Sequence, residues 1–234
     1  MNVLIVHAHH EPRSFNNALK DCAVEQLSAA GHAVQVSDLH AMGWNPVASA
    51  ADFGSRANPD YLVYALEQRH NYEAGTLAPD IVAEIAKVQW CDLLVLNFPL
   101  YWFSVPAILK GWIDRVMISG VFYGGRRIYD RGGMCGKRAL VTLTLGGREH
   151  MFGPEAIHGE IHTLLRPLLQ GSLGYCGFEV LPPFIGYHVP YVSPEARSQI
   201  LADYQRHLGA LDGLEPLRFP SLQDFDDRLM PLGR

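Results

Sequence analysis

The chain has 234 residues, 48% of them hydrophobic and 18% charged, with a formal net charge of −5. That length suits one large domain with insertions, and the composition excludes a disordered chain, a coiled coil and a collagen-like repeat. The negative balance supplies no overall basic field for nucleic acid, and the four cysteines (Cys22, Cys91, Cys135, Cys176) form no C-x-x-C pair and no disulfide framework.

The opening Met-Asn-Val-Leu-Ile-Val has neither a basic leader nor a small-residue cleavage site, so a cytoplasmic, reducing location is expected. Val3 to Val6 predicts the first strand. After the loop His7 to Arg13 comes a helix with Phe15, Leu19, Cys22, Ala23 and Leu27 on one face, Ser14 as its N-cap and Gly31 as its stop. Val34 and Val36 mark a second strand. From about His40 to Leu77 the regularity fails, with Trp44, Phe53, Tyr61, Tyr64 and Tyr72 scattered among Gly, Pro and Asn. So long an irregular excursion is expected to build a site or an interface.

Pro79 to Trp90 reads as a helix with Ile81, Val82, Ile85 and Val88 inward. Leu93 to Leu96 is a buried central strand. The apolar stretch continuing to Leu109 is interrupted by Asn97, Pro99, Ser104 and Pro106, which argues against a transmembrane segment. Pro106 opens a helix whose stripe is Ile108, Leu109, Trp112, Ile113 and Val116. Ala139 to Leu145 is strand four, closed by Gly146-Gly147. The stretch from Gly153 to Ser172 is helical in part, with a break at Pro167, and Cys176 to Leu181 supplies strand five. Ser193-Pro194-Glu195 starts the last helix. The proline-rich tail is expected to wrap over a neighbour, which divides the chain into a domain at 1–214 and a tail at 215–234.

Five parallel strands with helical crossovers on both faces fit a flavodoxin-like doubly wound α/β sheet of order 2-1-3-4-5. Its ligand site lies beyond the carboxyl ends of the strands, at the switch point between strands one and three. The loops after Val6, Leu96 and Leu145 should therefore build the site. The first places imidazoles and Ser14 at a helix N-terminus, where free N–H groups and the dipole favour a phosphate. It has neither G-x-G-x-x-G nor a P-loop pattern. The second offers Trp102 and Phe103 as an aromatic shelf, and the third offers two glycines whose amides can approach a ligand. Cradle, shelf and glycine pair together describe a flavin nucleotide site, in which the glycine amides face the pyrimidine end that becomes negative on reduction.

The chain resembles the flavin-dependent NAD(P)H:quinone reductases of the DT-diaphorase type and their bacterial relatives, from Val3 to about Leu214. The carriers are Ser14-Phe15-Asn16, Phe98-Pro-Leu-x-Trp-Phe103, Pro106-Ala-Ile-Leu-Lys-Gly-Trp112, Gly146-Gly147, Ile157-His-Gly159, Cys176-Gly-Phe178 and Ala196-Arg197. The resemblance implies that His9, Ser14, Phe15 and Asn16 meet the pyrophosphate and adenosine side of FAD. It implies that Pro99, Leu100, Trp102, Phe103, Thr144, Leu145, Gly146 and Gly147 hold the isoalloxazine, and that Arg197 reaches the adenylate end. Trp102, Phe103, Tyr123, His158 and Tyr175 would line the pocket that nicotinamide and quinone use in turn. His158, Gly146 and Gly147 would be catalytic. The family is homodimeric, with each site completed by the second subunit.

Four departures stand out. Phe152 takes the place of a tyrosine, Gly125 that of a second pocket tyrosine, Val63 that of an adenine-side glutamine, and Arg13 that of a phosphate-loop threonine. Val63 and Arg13 leave FMN open beside FAD. The implied reaction is ping-pong two-electron transfer of a hydride from NAD(P)H through flavin to a quinone. The alternatives are a regulatory flavoprotein subunit of a potassium-efflux channel and a one-electron flavodoxin-type carrier. No metal is expected: His7-x-His9-His10 lacks an added cysteine or acidic set, and His158 and His162 do not form H-E-x-x-H.

Overall fold

The structure, a computed structural model, describes residues 1–233. A parallel sheet forms its centre, with β1 (Asn2–His7), β2 (Ala33–Asp38), β3 (Leu93–Pro99) and β4 (Arg138–Thr144) hydrogen-bonded in the order β2-β1-β3-β4. The edge beyond β4 is shared by two short parallel strands, β5 (Glu179–Val180) against Arg138–Ala139 and β6 (Phe184–Gly186) against Thr142–Thr144. The order β2-β1-β3-β4-β5 is the doubly wound one. The fifth strand expected at Cys176 to Leu181 is thus shorter than the sequence suggested. Pro182 and Pro183 lack the N–H groups a ladder needs, so the edge breaks there and resumes at Phe184.

β3 is buried along its whole length, as a strand covered on both faces must be. One face is covered by α1 (Phe15–Ala29) and α7 (Pro194–Gly209), which bury Leu19, Ala23, Leu27, Tyr204 and Leu208 against Val3, Ile5, Leu93, Val95 and Leu140. Ser14 and Ser193 cap them as expected, each accepting from a backbone N–H three residues on. The other face carries α3 (Pro79–Trp90) and α4 (Ala107–Val116). Val82 is 43% exposed, whereas Glu84 is fully buried and receives the Trp112 indole N–H at 2.8 Å.

The excursion contains a helix that apolar periodicity missed, α2 (Tyr64–Ala74). Its inward residues are Glu67, Gln68 and Asn71, so its buried stripe is polar. Glu67 accepts the amides of Ala57 and Asn58, and Gln68 donates to the Asp114 carbonyl. After β4 the chain forms two short helices, α5 (Ile161–Leu164) and α6 (Arg166–Leu168), and then a π-helical stretch at Leu169–Gly174. The tail packs on its own chain. The Leu217 amide donates to the Val180 carbonyl, Leu222 is buried, and Asp130 accepts from the Ser221 hydroxyl and the Leu222 amide. Among the described residues no helix is long and apolar enough to cross a membrane.

Candidate active site

β1, β3 and β4 end side by side, and the loops leaving them border one cleft of about 380 Å³. Ten of the residues singled out above line it: His9, Ser14, Phe15 and Asn16 on one side, Pro99, Leu100, Thr144, Leu145 and Gly146 on the other, and Arg197 at the rim. Arg13, Tyr101, Val189 and Pro190 also border the cleft. Arg13 was visible in the sequence as a departure. Val189 and Pro190 carry no pattern that could have marked them.

The floor is rich in unpaired donors. Asn16 is 2% exposed, its Oδ1 accepts the Thr144 hydroxyl at 2.7 Å, and its Nδ2 has no partner among the described residues. At the start of α1 Ser14 occupies the Asn17 amide, whereas the amides of Phe15 and Asn16 precede the first helical hydrogen bond and stay free. The amides of Gly146 and Gly147 make no hydrogen bond among the described residues. Such a row of donors at a helix N-terminus and a glycine turn suits an anionic, acceptor-rich ligand.

Trp102, Phe103 and Gly147 stand beside the cleft. Tyr101 and Ser104 exchange backbone hydrogen bonds at 3.0 and 2.9 Å, and between them Trp102 (φ +49°) and Phe103 (φ +57°) lie in the left-handed region. This tight turn thrusts Trp102 outward to 96% exposure. His158 lies between two aromatic rings, 5.3 Å from Phe103 and 5.1 Å from Phe152, and its ring nitrogens make no hydrogen bond among the described residues. Gly147 is needed for space, because a Cβ there would come 2.8 Å from the Phe152 ring. Tyr123 and Tyr175 pair at 5.5 Å but line a different groove of about 360 Å³, with Gln68, Met117 and Ser172. Within one chain they do not join the others.

The histidines at the end of β1 divide. His7 is 1% exposed, its Nδ1 pairs with Asn97 Oδ1 at 2.9 Å, and burial pushes its pKa down, so it is a neutral structural group. His9 stacks on His10 at 4.9 Å and accepts the Glu11 amide on Nδ1, with burial and then the neighbouring histidines lowering its pKa. No cluster of three potential ligands able to hold a metal occurs among the described residues.

Residues 1–210 match the family model described as flavodoxin-like fold. The chain belongs to this flavodoxin-like family. It is 44% identical over 216 residues to ribosyldihydronicotinamide dehydrogenase (quinone) of Mus musculus, covering 92% of this chain and 94% of that protein. It is 42% identical over 224 residues to NAD(P)H dehydrogenase (quinone) 1 of Cavia porcellus, covering 95% and 82%. Among solved structures, a Klebsiella pneumoniae protein described as a candidate quinone reductase superposes with a TM-score of 0.92 at 40% identity, covering 96% and 91%. Members of the flavodoxin-like fold place their ligand where this cleft lies, outside the carboxyl ends of the strands at the switch point.

Proposed function

We infer that this chain is a flavin-dependent NAD(P)H:quinone oxidoreductase. The observation that carries the reading is the convergence of the three strand-end loops on one cleft that presents the unpaired donors of Asn16 and Gly146, with that of Gly147 beside it. A flavin fits that donor set, because its pyrimidine ring and its phosphates are acceptors. When bound, it supplies two-electron chemistry between nicotinamide and quinone.

The chain's own residues then have distinct tasks. The free amides at the start of α1, with Arg13 and Arg197 at the rim, bind phosphate. Two arginines suit the diphosphate of FAD better than the single phosphate of FMN. The Gly146 and Gly147 amides stabilise negative charge at the pyrimidine end. His158, with both ring nitrogens unengaged, exchanges a proton there, a task it performs without a neighbouring tyrosine because Phe152 has no hydroxyl. Trp102 and Phe103 orient the flat substrate and exclude water. Tyr123 and Tyr175 act from a second copy of the chain, completing the site in a cytoplasmic homodimer.

The test is direct. Heating the purified protein should release a yellow chromophore whose mass is that of FAD, and the holoprotein should be bleached by NAD(P)H and recoloured by a quinone. A colourless preparation that takes up neither FAD nor FMN overturns the reading.

A further inference from the structure

We propose that His188 is a positioning residue for this reaction. Its ring clamps the Gly146 carbonyl, and with it the Gly147 amide of the same planar peptide, while the Val189 amide holds the Leu145 carbonyl and with it the Gly146 amide, so that the two donors form a fixed pair. The inference rests on the flavoenzyme reading above.

The hydrogen bonds of residues 145–147 close around one short segment. The Leu145 amide donates to the Gly186 carbonyl at 3.0 Å, and the Leu145 carbonyl accepts the Val189 amide at 3.1 Å. The Gly147 carbonyl accepts the His188 amide at 2.8 Å, and the Gly146 carbonyl meets His188 Nδ1 at 2.8 Å. A carbonyl can only accept, so Nδ1 carries the proton and donates. All three carbonyls and one amide of this turn are thereby engaged. The two remaining amides, those of exposed Gly146 and half-buried Gly147, have no partner among the described residues and are open to a ligand.

The backbone of His188 has φ +56°, a left-handed conformation that glycine or asparagine adopts more readily. That turn brings the amide and the ring of one residue onto two consecutive carbonyls. A strained conformation persists only where the surrounding contacts fix it, and it gathers at functional positions. Donors locked in place need no reorganisation when charge appears, so they favour the more negative redox state of a ligand over the neutral one. Without the ring, the peptide joining Gly146 to Gly147 is free to rotate, and the Gly147 amide loses its aim.

The experiment compares wild type, His188→Gly and His188→Asn as holoproteins, by FAD titration of the stripped protein and by midpoint potential. Glycine removes the ring donor while removing the backbone strain. It should weaken binding of the reduced relative to the oxidised cofactor about tenfold, which lowers a two-electron midpoint by about 30 mV. Asparagine tolerates the left-handed backbone and carries an amide donor, so it should restore most of the shift. A midpoint in His188→Gly equal to that of wild type overturns the proposal, and so does an asparagine variant that falls as far as the glycine one. If wild type itself takes up no flavin, the flavoenzyme reading fails and this inference with it. Flavin uptake by wild type with unshifted variants defeats the clamp alone.

Discussion

Trp102 and Phe103 occupy the two central positions of a tight turn whose positive φ values ordinarily select Asn and Gly. Bulky L-residues in that region cost roughly 1–2 kcal/mol each, and Trp102, almost wholly exposed, recovers none of this by packing. Trp102→Asn should therefore raise the unfolding midpoint of the apoprotein by about 2–4 °C per kcal/mol regained, while raising KM for quinone. A thermal melt set beside steady-state kinetics checks both signs. His158 is held by rings rather than by hydrogen bonds, which leaves its nitrogens for a proton. His158→Ala should slow turnover by roughly 10²- to 10⁴-fold, and an unchanged kcat with a simple quinone would remove it from the chemistry. At this scale the cleft was legible wherever a residue sat at a strand end or at the turn or helix start that follows one, as Pro99, Gly146 and Asn16 do. His188 was not legible, because its part depends on a left-handed φ and a contact 42 positions away in sequence.

Strands β1 to β4 and the flanking helices α1, α3, α4 and α7 could be read from apolar periodicity and caps, whereas the split of the edge at Pro182 and Pro183 into the short strands β5 and β6 could not. α2 could not, because its buried face is Glu67, Gln68 and Asn71 and its partners are backbone amides and carbonyls. The same polar logic anchors the excursion to α4. Arg115 pairs with buried Asp52 at 2.8 Å and with Asp80 at 2.8 Å, donates to the Asn45 carbonyl, and lies 4.6 Å from the centre of the Trp44 ring. Burial by itself would raise the Asp52 carboxyl, but hydrogen bonds from Arg115, Tyr64 and the Ser49 amide hold it below its ordinary value of 3.8. A depressed carboxyl pKa contributes stability above the unfolded value and loses it as pH falls through the folded one. Arg115→Met strands the Asp52 carboxylate without its cation and should destabilise the fold by about 3–5 kcal/mol at neutral pH. The deficit should shrink as pH falls, first as the stranded Asp52 of the variant takes up a proton and then, at lower pH, as the wild-type carboxyl does. Urea melts of the pair at neutral pH and near pH 3 measure it. A deficit constant across that range would show that packing, not charge, is what Arg115 provides.

For the molecule as a whole, the question is where Tyr123 and Tyr175 act. They share a groove with Gln68 and Met117, and none of its lining residues belongs to the strand-end cleft. Under the function proposed above, the groove and the cleft are the two halves of one site, which the chain completes by meeting a copy of itself, and a closed two-fold pair does so twice. The surface near α2 fits such a contact, with Tyr61 and Leu66 exposed to 70% and 62%. Tyr123→Ala should spoil the groove and leave the cleft whole, whereas Gly147→Val should spoil the cleft, its added carbon colliding with Phe152. Each variant dimer is then inactive for its own reason. Co-expressed with two different tags and purified as the mixed dimer, they place one intact groove against one intact cleft. That dimer should recover about half the wild-type turnover, one competent site of two. If the sites instead lay within single chains, both halves of the mixed dimer would be defective and no activity would return.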